Sequence, residues 1–206
     1  ADACIDGSVQ SLEWGPPGGV ISGPGVNGVY WDPAAAGIGV HEITYTIGEE
    51  AVSCTVEVLA TPDATIFCSS SMCANDGPMP LAAATEGGTW YGEGVVGVFF
   101  DPSLVNPPGD FTVSYAVSNA GCSDSLSVNI AVFSSPPTPE IFIDFASNAF
   151  LANNTGSGSN TLQWYTADGL PVEGATGLLF ANPQVGQTYY LQVTNAYGCS
   201  AQSDLL

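Results

Sequence analysis

The stretch Asp110-Phe-Thr-Val-Ser-Tyr-Ala-Val117 has an apolar side chain at every second position. This is the period of a half-buried β-strand, whose side chains point alternately to the two faces of a sheet. The earlier stretch His41-Glu-Ile-Thr-Tyr-Thr-Ile47 has the same period, with both isoleucines and Tyr45 on one face. Both stretches therefore predict strands that turn one face towards a hydrophobic core.

These two strands belong to an internal duplication. At a constant spacing of 69 residues, the two copies share a cysteine, a glycine pair, an aromatic pair and an Asp-Pro pair: Cys4 and Cys73, Gly18-Gly19 and Gly87-Gly88, Tyr30-Trp31 and Phe99-Phe100, and Asp32-Pro33 and Asp101-Pro102. After a length change in the next loop, the alignment places Cys54 on Cys122. Self-similarity of this extent indicates tandem repeats of one structural unit.

Proline-containing linkers at Ala60-Thr-Pro62 and Ser134-Ser-Pro-Pro-Thr-Pro139 divide the chain. Three modules are predicted: residues 1–60, 61–137 and 138–206. Module 1 lacks the first strand, which Thr61–Phe67 supplies in module 2, and module 3 has a divergent pattern. No segment of about 12 or more residues has an amphipathic helix pattern, so we predict an all-β fold of tandem immunoglobulin-like β-sandwich domains.

The charge of the chain excludes several partners. The chain has 20 carboxylic residues, one histidine and no lysine or arginine. Each carboxylate must therefore be solvated, hydrogen-bonded or bound to an external cation. Binding to nucleic acid or to an anionic membrane surface depends on lysine and arginine, so we predict neither partner. Direct membrane insertion is not predicted either, because no apolar run approaches the roughly 20 residues that span a bilayer.

Six cysteines without a CxxC pair predict disulfides and an oxidising, extracellular compartment. The later cysteine of each copy is an even number of residues away from the apolar side chains of its strand. It should therefore share their face and point into the sandwich. We therefore predict one disulfide within each duplicated module, Cys4–Cys54 and Cys73–Cys122. The sequence leaves Cys68 and Cys199 over, with three outcomes: a mutual bond in a folded-back chain, an intermolecular bond, or free thiols.

Six short motifs lie in the second and third modules: Gly87-Gly-Thr-Trp90, Phe100-Asp-Pro102, Asn119-Ala-Gly-Cys-Ser123, Gln163-Trp-Tyr165, Gly174-Ala-Thr176 and Val193-Thr-Asn-Ala-Tyr-Gly-Cys-Ser200. In these motifs the chain resembles the immunoglobulin-like and PKD-like repeats of large Bacteroidota surface proteins. Many of those are exported by the type IX secretion system, and some act as gliding or adhesion filaments. The resemblance implies export to the cell surface and a non-catalytic role, although the typical C-terminal sorting domain is missing.

Two aromatic groups have different expected roles. Trp164 lies where immunoglobulin-like sandwiches keep a core tryptophan, so we expect it to be buried. Trp90 and Tyr91 are the candidate ligand surface, because adjacent aromatic rings can stack on sugars.

Other candidate sites are single residues. Asp32 and Asp101 are the candidates for calcium, which prefers oxygen ligands, but an aspartate before proline more often caps or turns the chain. No other metal or cofactor is predicted. Asn153-Asn-Thr155 fits an N-glycosylation sequon. Asp124-Ser-Leu126 resembles the O-glycosylation triplet of Bacteroidota, which makes Ser125 a candidate.

No catalytic machinery is predicted. His41 aligns with Asp110 of the duplicate, and the chain has no lysine, so only a glycosidase using two carboxylates remains as a catalytic option. We instead predict an extracellular structural or adhesive surface protein that assembles into a fibre by strand addition between chains. Its predicted partners are copies of itself, other surface proteins or glycans. The alternative is a carbohydrate-binding or spacer module of a larger secreted protein.

Overall fold

The computed structural model describes residues 2–106, 108–156 and 158–206. They form two compact units. Unit 1 contains the residues up to Cys68 together with Pro80–Phe99 and Thr112–Val128, and unit 2 contains Ser69–Met79, Phe100–Phe111 and Asn129–Leu206.

The first repeat, residues 2–59, lies wholly within unit 1. Its elements are β1 (Asp2–Cys4), β2 (Gln10–Ser11), β3 (Val20–Ser22), β4 (Val26–Asn27), β5 (Tyr30–Trp31), the short helix α1 (Pro33–Ala36), β6 (Gly39–Ile47) and β7 (Glu50–Leu59). The strands form two sheets, ordered β1-β7-β6-β3 and β2-β5-β4. Trp31, Ile43 and Val58 are buried in one core cluster of this repeat.

The second repeat, residues 61–133, has counterparts of these elements in the same order, with two additional strands, β8 (Ile66–Phe67) and β11 (Ala82–Ala83), and a 3-10 turn in place of α1. They are β8 (Ile66–Phe67), β9 (Ser71–Cys73), β10 (Met79–Pro80), β11 (Ala82–Ala83), β12 (Thr89–Tyr91), β13 (Val95–Val96), β14 (Phe99–Phe100), a 3-10 turn (Pro102–Leu104), β15 (Asp110–Asn119) and β16 (Cys122–Phe133). Within unit 1, β8 pairs with β11 and β12 with β15. Within unit 2, β9 pairs in parallel with the end of β16.

The third repeat, residues 140–206, lies in unit 2. Its strands are β17 (Glu140–Asp144), β18 (Ala149–Asn153), β19 (Thr161–Thr166), β20 (Leu179–Ala181), β21 (Tyr189–Thr194) and β22 (Ser200–Gln202). They form the sheets β17-β18-β20 and β19-β21-β22. The side chain of Trp164 is 0% exposed. Its indole nitrogen donates to the Gly177 carbonyl at 2.8 Å. The prediction that Trp164 lies in the core is confirmed.

The chain is therefore all-β and consists of tandem immunoglobulin-like β-sandwiches, as predicted. The period-two patterns are also confirmed, because Ile43 and Tyr45 are buried in β6, and Val113, Tyr115 and Val117 in β15. The module boundaries 1–60, 61–137 and 138–206 stay a prediction.

A tyrosine packs directly on the second glycine of the Gly-Gly pair in both duplicated repeats. A β-carbon on Gly19 would lie 2.1 Å from Cζ of Tyr45, and one on Gly88 would lie 2.5 Å from Cζ of Tyr115. The Tyr115 hydroxyl accepts from the Gly88 amide at 2.7 Å and donates to the Thr85 carbonyl at 2.7 Å. The second glycine of each pair therefore recurs because a side chain there would displace the tyrosine ring.

We expect Gly88→Ala to lower the free energy of unfolding by about 1–3 kcal/mol, because the added methyl overpacks the Tyr115 ring and the Ala116 carbonyl. Gly77→Ala is the matched control, since a β-carbon there meets no atom within 4 Å. Chemical denaturation of both variants checks this. Equal stability of the two variants would contradict the packing argument.

Candidate functional site

Two disulfides join different repeats. Cys4 is bonded to Cys122 within unit 1, and Cys73 is bonded to Cys199 within unit 2. The bonded residues are 118 and 126 positions apart in sequence. Cys4 and Cys73 are both the last residue of a short strand, β1 or β9. Consecutive repeats are thus connected twice, once by the peptide chain and once by a cystine.

The hairpin cysteines also occupy matching positions. Cys122 follows Asn119-Ala-Gly121 at the tip of the β15–β16 hairpin, and Cys199 follows Asn195-Ala-Tyr-Gly198 between β21 and β22. Each bond therefore runs from a short strand of one repeat, β1 or β9, to the hairpin tip of the next.

The predicted bonds Cys4–Cys54 and Cys73–Cys122 are wrong, and Cys199, predicted to be left over, is bonded. The reason is strand register. Cys4 lies opposite Leu59 in the parallel β1–β7 pair, five residues along the strand from Cys54. Five residues of a strand span about 16 Å, whereas bridged α-carbons lie within about 7 Å.

The register also corrects the alignment of Cys54 with Cys122. Ala3 lies opposite Val58 in the first repeat, and Met72 lies opposite Val132 in the second. Counting back from these equivalent valines places Cys54 on Val128. Cys122 instead opens a strand that is 12 residues long, compared with 10 for β7.

Hydrogen bonds hold the linker close to the first cystine. A carboxylate oxygen of Asp124, two residues after Cys122, accepts from the Ala64 amide at 2.8 Å. On the other side, the Thr61 hydroxyl donates to the carboxylate of Asp6, two residues after Cys4. The segment between the first two repeats is thus fixed at both ends of this junction.

The second cystine has its own surrounding contacts. The Asn195 side-chain oxygen accepts from the amides of Tyr197 and Cys199, both at 3.0 Å, and so shapes the turn. Its amide nitrogen donates to the Ser134 carbonyl at 2.7 Å. The Tyr197 ring stacks on Phe133 with centroids 4.3 Å apart. Backbone, amide and aromatic contacts therefore reinforce the covalent bond.

The remaining cysteines are free thiols. Cys54 is exposed on β7, and Cys68 is half-buried between β8 and β9. Partial burial raises the pKa of the Cys68 thiol, because the apolar surroundings disfavour the thiolate.

The two residues of the candidate ligand surface, Trp90 and Tyr91, lie on opposite faces of β12. Trp90 is half-buried, with its ring 4.4 Å from that of Tyr115, whereas Tyr91 is 55% exposed. Successive residues of a strand point to opposite faces, so the two rings do not share a surface.

Asp32 and Asp101 cap short helical turns. The Asp32 carboxylate accepts from the Ala34 amide at 2.9 Å, and the Asp101 carboxylate accepts from the Ser103 amide at 2.9 Å. Across residues 2–106, 108–156 and 158–206, no group of three or more His, Cys, Asp or Glu side chains is arranged to hold a metal ion. Both side chains therefore fix local turns, and their binding of calcium stays a prediction.

The other single-residue candidates lie on different elements. His41, on β6, contacts the Gly37 carbonyl through Nε2 at 2.6 Å. Ser125 and Asn153 are both exposed, in β16 and at the end of β18. Their glycosylation stays a prediction. In the described part of the chain, no helix has the length and apolar character to cross a membrane.

No family model and no curated protein matches the chain. Solved structures similar to it include immunoglobulin domains 1–5 of Sidekick-1, at 14% identity and a TM-score of 0.40 over 98% of this chain and 56% of that one. The titin I-band fragment I67–I69 aligns at 13% identity and a TM-score of 0.35 over 99% and 94% of the two chains. Extracellular domains 3–5 of Drosophila OTK align at 14% identity and a TM-score of 0.31 over 81% and 70%.

Removal of the first cystine by Cys4→Ala/Cys122→Ala should lower the free energy of unfolding by about 2–5 kcal/mol, since the bond closes a loop of more than 100 residues. Cys54→Ala, which removes an exposed free thiol, is the control and should change it by less than about 0.5 kcal/mol. Mass spectrometry of a peptic digest provides the direct check. A peptide linking Cys4 to Cys54 would contradict the structure.

Alkylation of the native protein should distinguish the two free thiols. At pH 8 we expect Cys54 to react first, because it is exposed, and Cys68 to react more slowly, because its raised pKa lowers the thiolate fraction. Time-resolved labelling followed by peptide mapping measures both rates. Faster labelling of Cys68 would contradict the burial of its thiol.

Proposed function

We propose that this chain is a non-catalytic structural or adhesive element outside the cell, built to keep consecutive immunoglobulin-like repeats joined. The observation that carries the proposal is the repeated cystine between repeats, Cys4–Cys122 and Cys73–Cys199. Separate domains of one chain usually move relative to each other, and a second covalent connection limits that motion. Stable cystines also require an oxidising compartment, which supports an extracellular location.

The motif resemblance supports a place on the surface of a bacterium of the Bacteroidota. The partners we propose are copies of the same chain, other surface proteins or glycans. A surface without lysine and arginine has no cationic side chain for phosphate groups, so contacts with partners depend on hydrogen bonds and apolar area.

We further propose that the chains assemble into a fibre by strand addition. An edge strand with unpaired backbone groups is a template for a strand of another molecule. Strand β3 lies at the edge of the sheet β1-β7-β6-β3, and Val20 at its start is 67% exposed. The carbohydrate-binding alternative is weakened, because Trp90 and Tyr91 point to opposite faces of β12.

Electron microscopy of the purified protein at high concentration tests the fibre, with filaments as the expected result. Reduction with dithiothreitol is the comparison: if cystines between repeats support the filament, it should fragment or lose its order on reduction. A monodisperse monomer at millimolar concentration, with no filaments, would remove the fibre and leave the structural role of the joined repeats standing.

A further inference from the structure

In the third repeat, one sheet carries a row of large apolar side chains on its solvent face. Phe142 of β17 lies opposite Leu151 of β18, which in turn lies opposite Leu179 of β20. These three side chains are 48%, 40% and 52% exposed, in that order. Neighbouring strands lie about 4.8 Å apart, so the three side chains form one continuous strip about 10 Å long across the sheet. They are called the apolar row.

The apolar row is separate from the core of this repeat. Its strand neighbours Ile141, Phe150 and Phe180 point to the other face, where they belong to the core cluster or pack against it. The second repeat differs, because Ser114 and Ser127 lie on the outer face of β15 and β16, with their hydroxyl oxygens 2.7 Å apart. Large apolar side chains that touch each other in water mark a contact surface.

Two carboxylates flank the apolar row. Glu140 and Asp144 lie two residues before and two residues after Phe142 in β17, so all three side chains share one face. Each carboxylate is therefore about 7 Å along the strand from the row. The Ser147 hydroxyl and the Ala146 amide lower the pKa of Asp144, so this residue keeps its charge in mildly acidic solution. The solvent face of β17 thus presents a negative, an apolar and a negative side chain in order.

This order of side chains restricts the partner. A second copy of the chain has no lysine or arginine, so its approach would bring carboxylates together. An anionic membrane surface is repelled in the same way. An uncharged glycan leaves both carboxylates without an opposite charge. A protein segment with positive side chains on both sides of an apolar one complements all three positions.

We propose that the solvent face of β17, β18 and β20 binds an extended segment of another protein, with a basic residue two positions before and two positions after an apolar residue. In an extended segment, side chains on one face repeat about every 7 Å, which is the spacing of Glu140, Phe142 and Asp144 along β17. The apolar side chain covers the apolar row, and the basic side chains donate charge-assisted hydrogen bonds to the carboxylates. The inference rests on the proposed adhesive role and names the chemistry of one partner.

Calorimetric titration of a cyclised β-hairpin peptide into the full chain tests this directly. One face of the peptide carries lysine, leucine and lysine at alternating positions, and a matched peptide has glutamate in place of both lysines. At about 0.05 M salt we expect a dissociation constant on the order of 0.1–1 mM for the basic peptide and at least about tenfold weaker binding of the acidic one. Equal binding of the two peptides, or no binding of the basic one, would overturn the proposal.

Salt provides a second measurement on the same peptide. The affinity of the basic peptide should fall about threefold or more when the salt concentration is raised to about 0.5 M, because screening weakens attraction between exposed charges. An affinity that does not change with salt would remove the carboxylates from the contact and contradict the proposal.

Variants of the protein locate the bound peptide. Phe142→Ser should weaken binding at least about tenfold, whereas Phe99→Ser, at a phenylalanine of similar exposure in the second repeat, should stay within about twofold. Glu140→Gln should weaken binding about threefold, because it removes one charge, and Glu86→Gln is its matched control. Leu179→Ser provides a second change in the apolar row if Phe142→Ser lowers the Tm. Unchanged affinity of both apolar-row variants would place the peptide elsewhere and reject the proposal.

Sedimentation of the chain alone tests the competing occupant, a second copy. We expect the wild-type chain and Phe142→Ser to sediment alike at every concentration. Self-association that is present in the wild-type chain and lost in Phe142→Ser would show that a second copy covers the apolar row, and the proposal would be wrong.

Electron microscopy of Phe142→Ser separates this inference from the fibre. Strand addition uses backbone groups at a sheet edge, so filaments should form equally from the wild-type chain and from this variant. Filaments without peptide binding would keep the fibre and reject the basic partner. Peptide binding without any filaments would keep the basic partner and reject the fibre.

Discussion

The structure depends on covalent bonds placed between repeats rather than within them. A β-sandwich of 60 to 75 residues buries a limited apolar area and usually needs a further source of stability. A cystine between the two sheets would supply it within each sandwich, but here Cys4 and Cys73 bond to the next repeat. Tightly buried tryptophans, Trp31 and Trp164, occupy the sandwich interiors instead. The cysteines are thus used to make a continuous array.

Because the chain has no lysine or arginine, its carboxylates are stabilised by hydrogen bonds instead of ion pairs with those residues. The Thr65 hydroxyl lowers the pKa of Asp63, with help from the Thr65 amide. The Ser147 hydroxyl and the Ala146 amide lower the pKa of Asp144 in the same way. The carboxylate of Asp124 receives the Ala64 amide. Hydroxyl groups of short side chains and backbone amides in turns therefore stabilise the ionised carboxylates, as salt bridges do in other proteins. The same hydrogen bonds define the local geometry of the turns.

The local parts of this fold could be predicted from sequence, and the parts set by distant strands could not. Period two identified β6 and β15, and the constant spacing of 69 residues identified the two duplicated repeats. Alternation along a strand shows on which face of the sheet a cysteine lies. It does not show how far along the neighbouring strand its partner lies. That distance depends on the parallel pairing of β1 with β7, two strands that are far apart in the sequence. A pattern within either strand does not predict this pairing. The shared turn sequences before Cys122 and Cys199 were the available signal for the observed bonds.

The two duplicated repeats solve one packing problem in two ways. In the second repeat, the ring centroids of Trp90 and Tyr115 lie 4.4 Å apart, and the small Ala83 leaves space for Ala64 and Ile66. In the first repeat, Ile21 occupies the position of Trp90. There Trp14 takes the place of Ala83, with its ring 6.2 Å from Tyr45. A large ring at that position packs against the tyrosine. The first repeat therefore places a ring of its own, Trp14, beside the tyrosine, whereas the second repeat packs Ala64 and Ile66 against it.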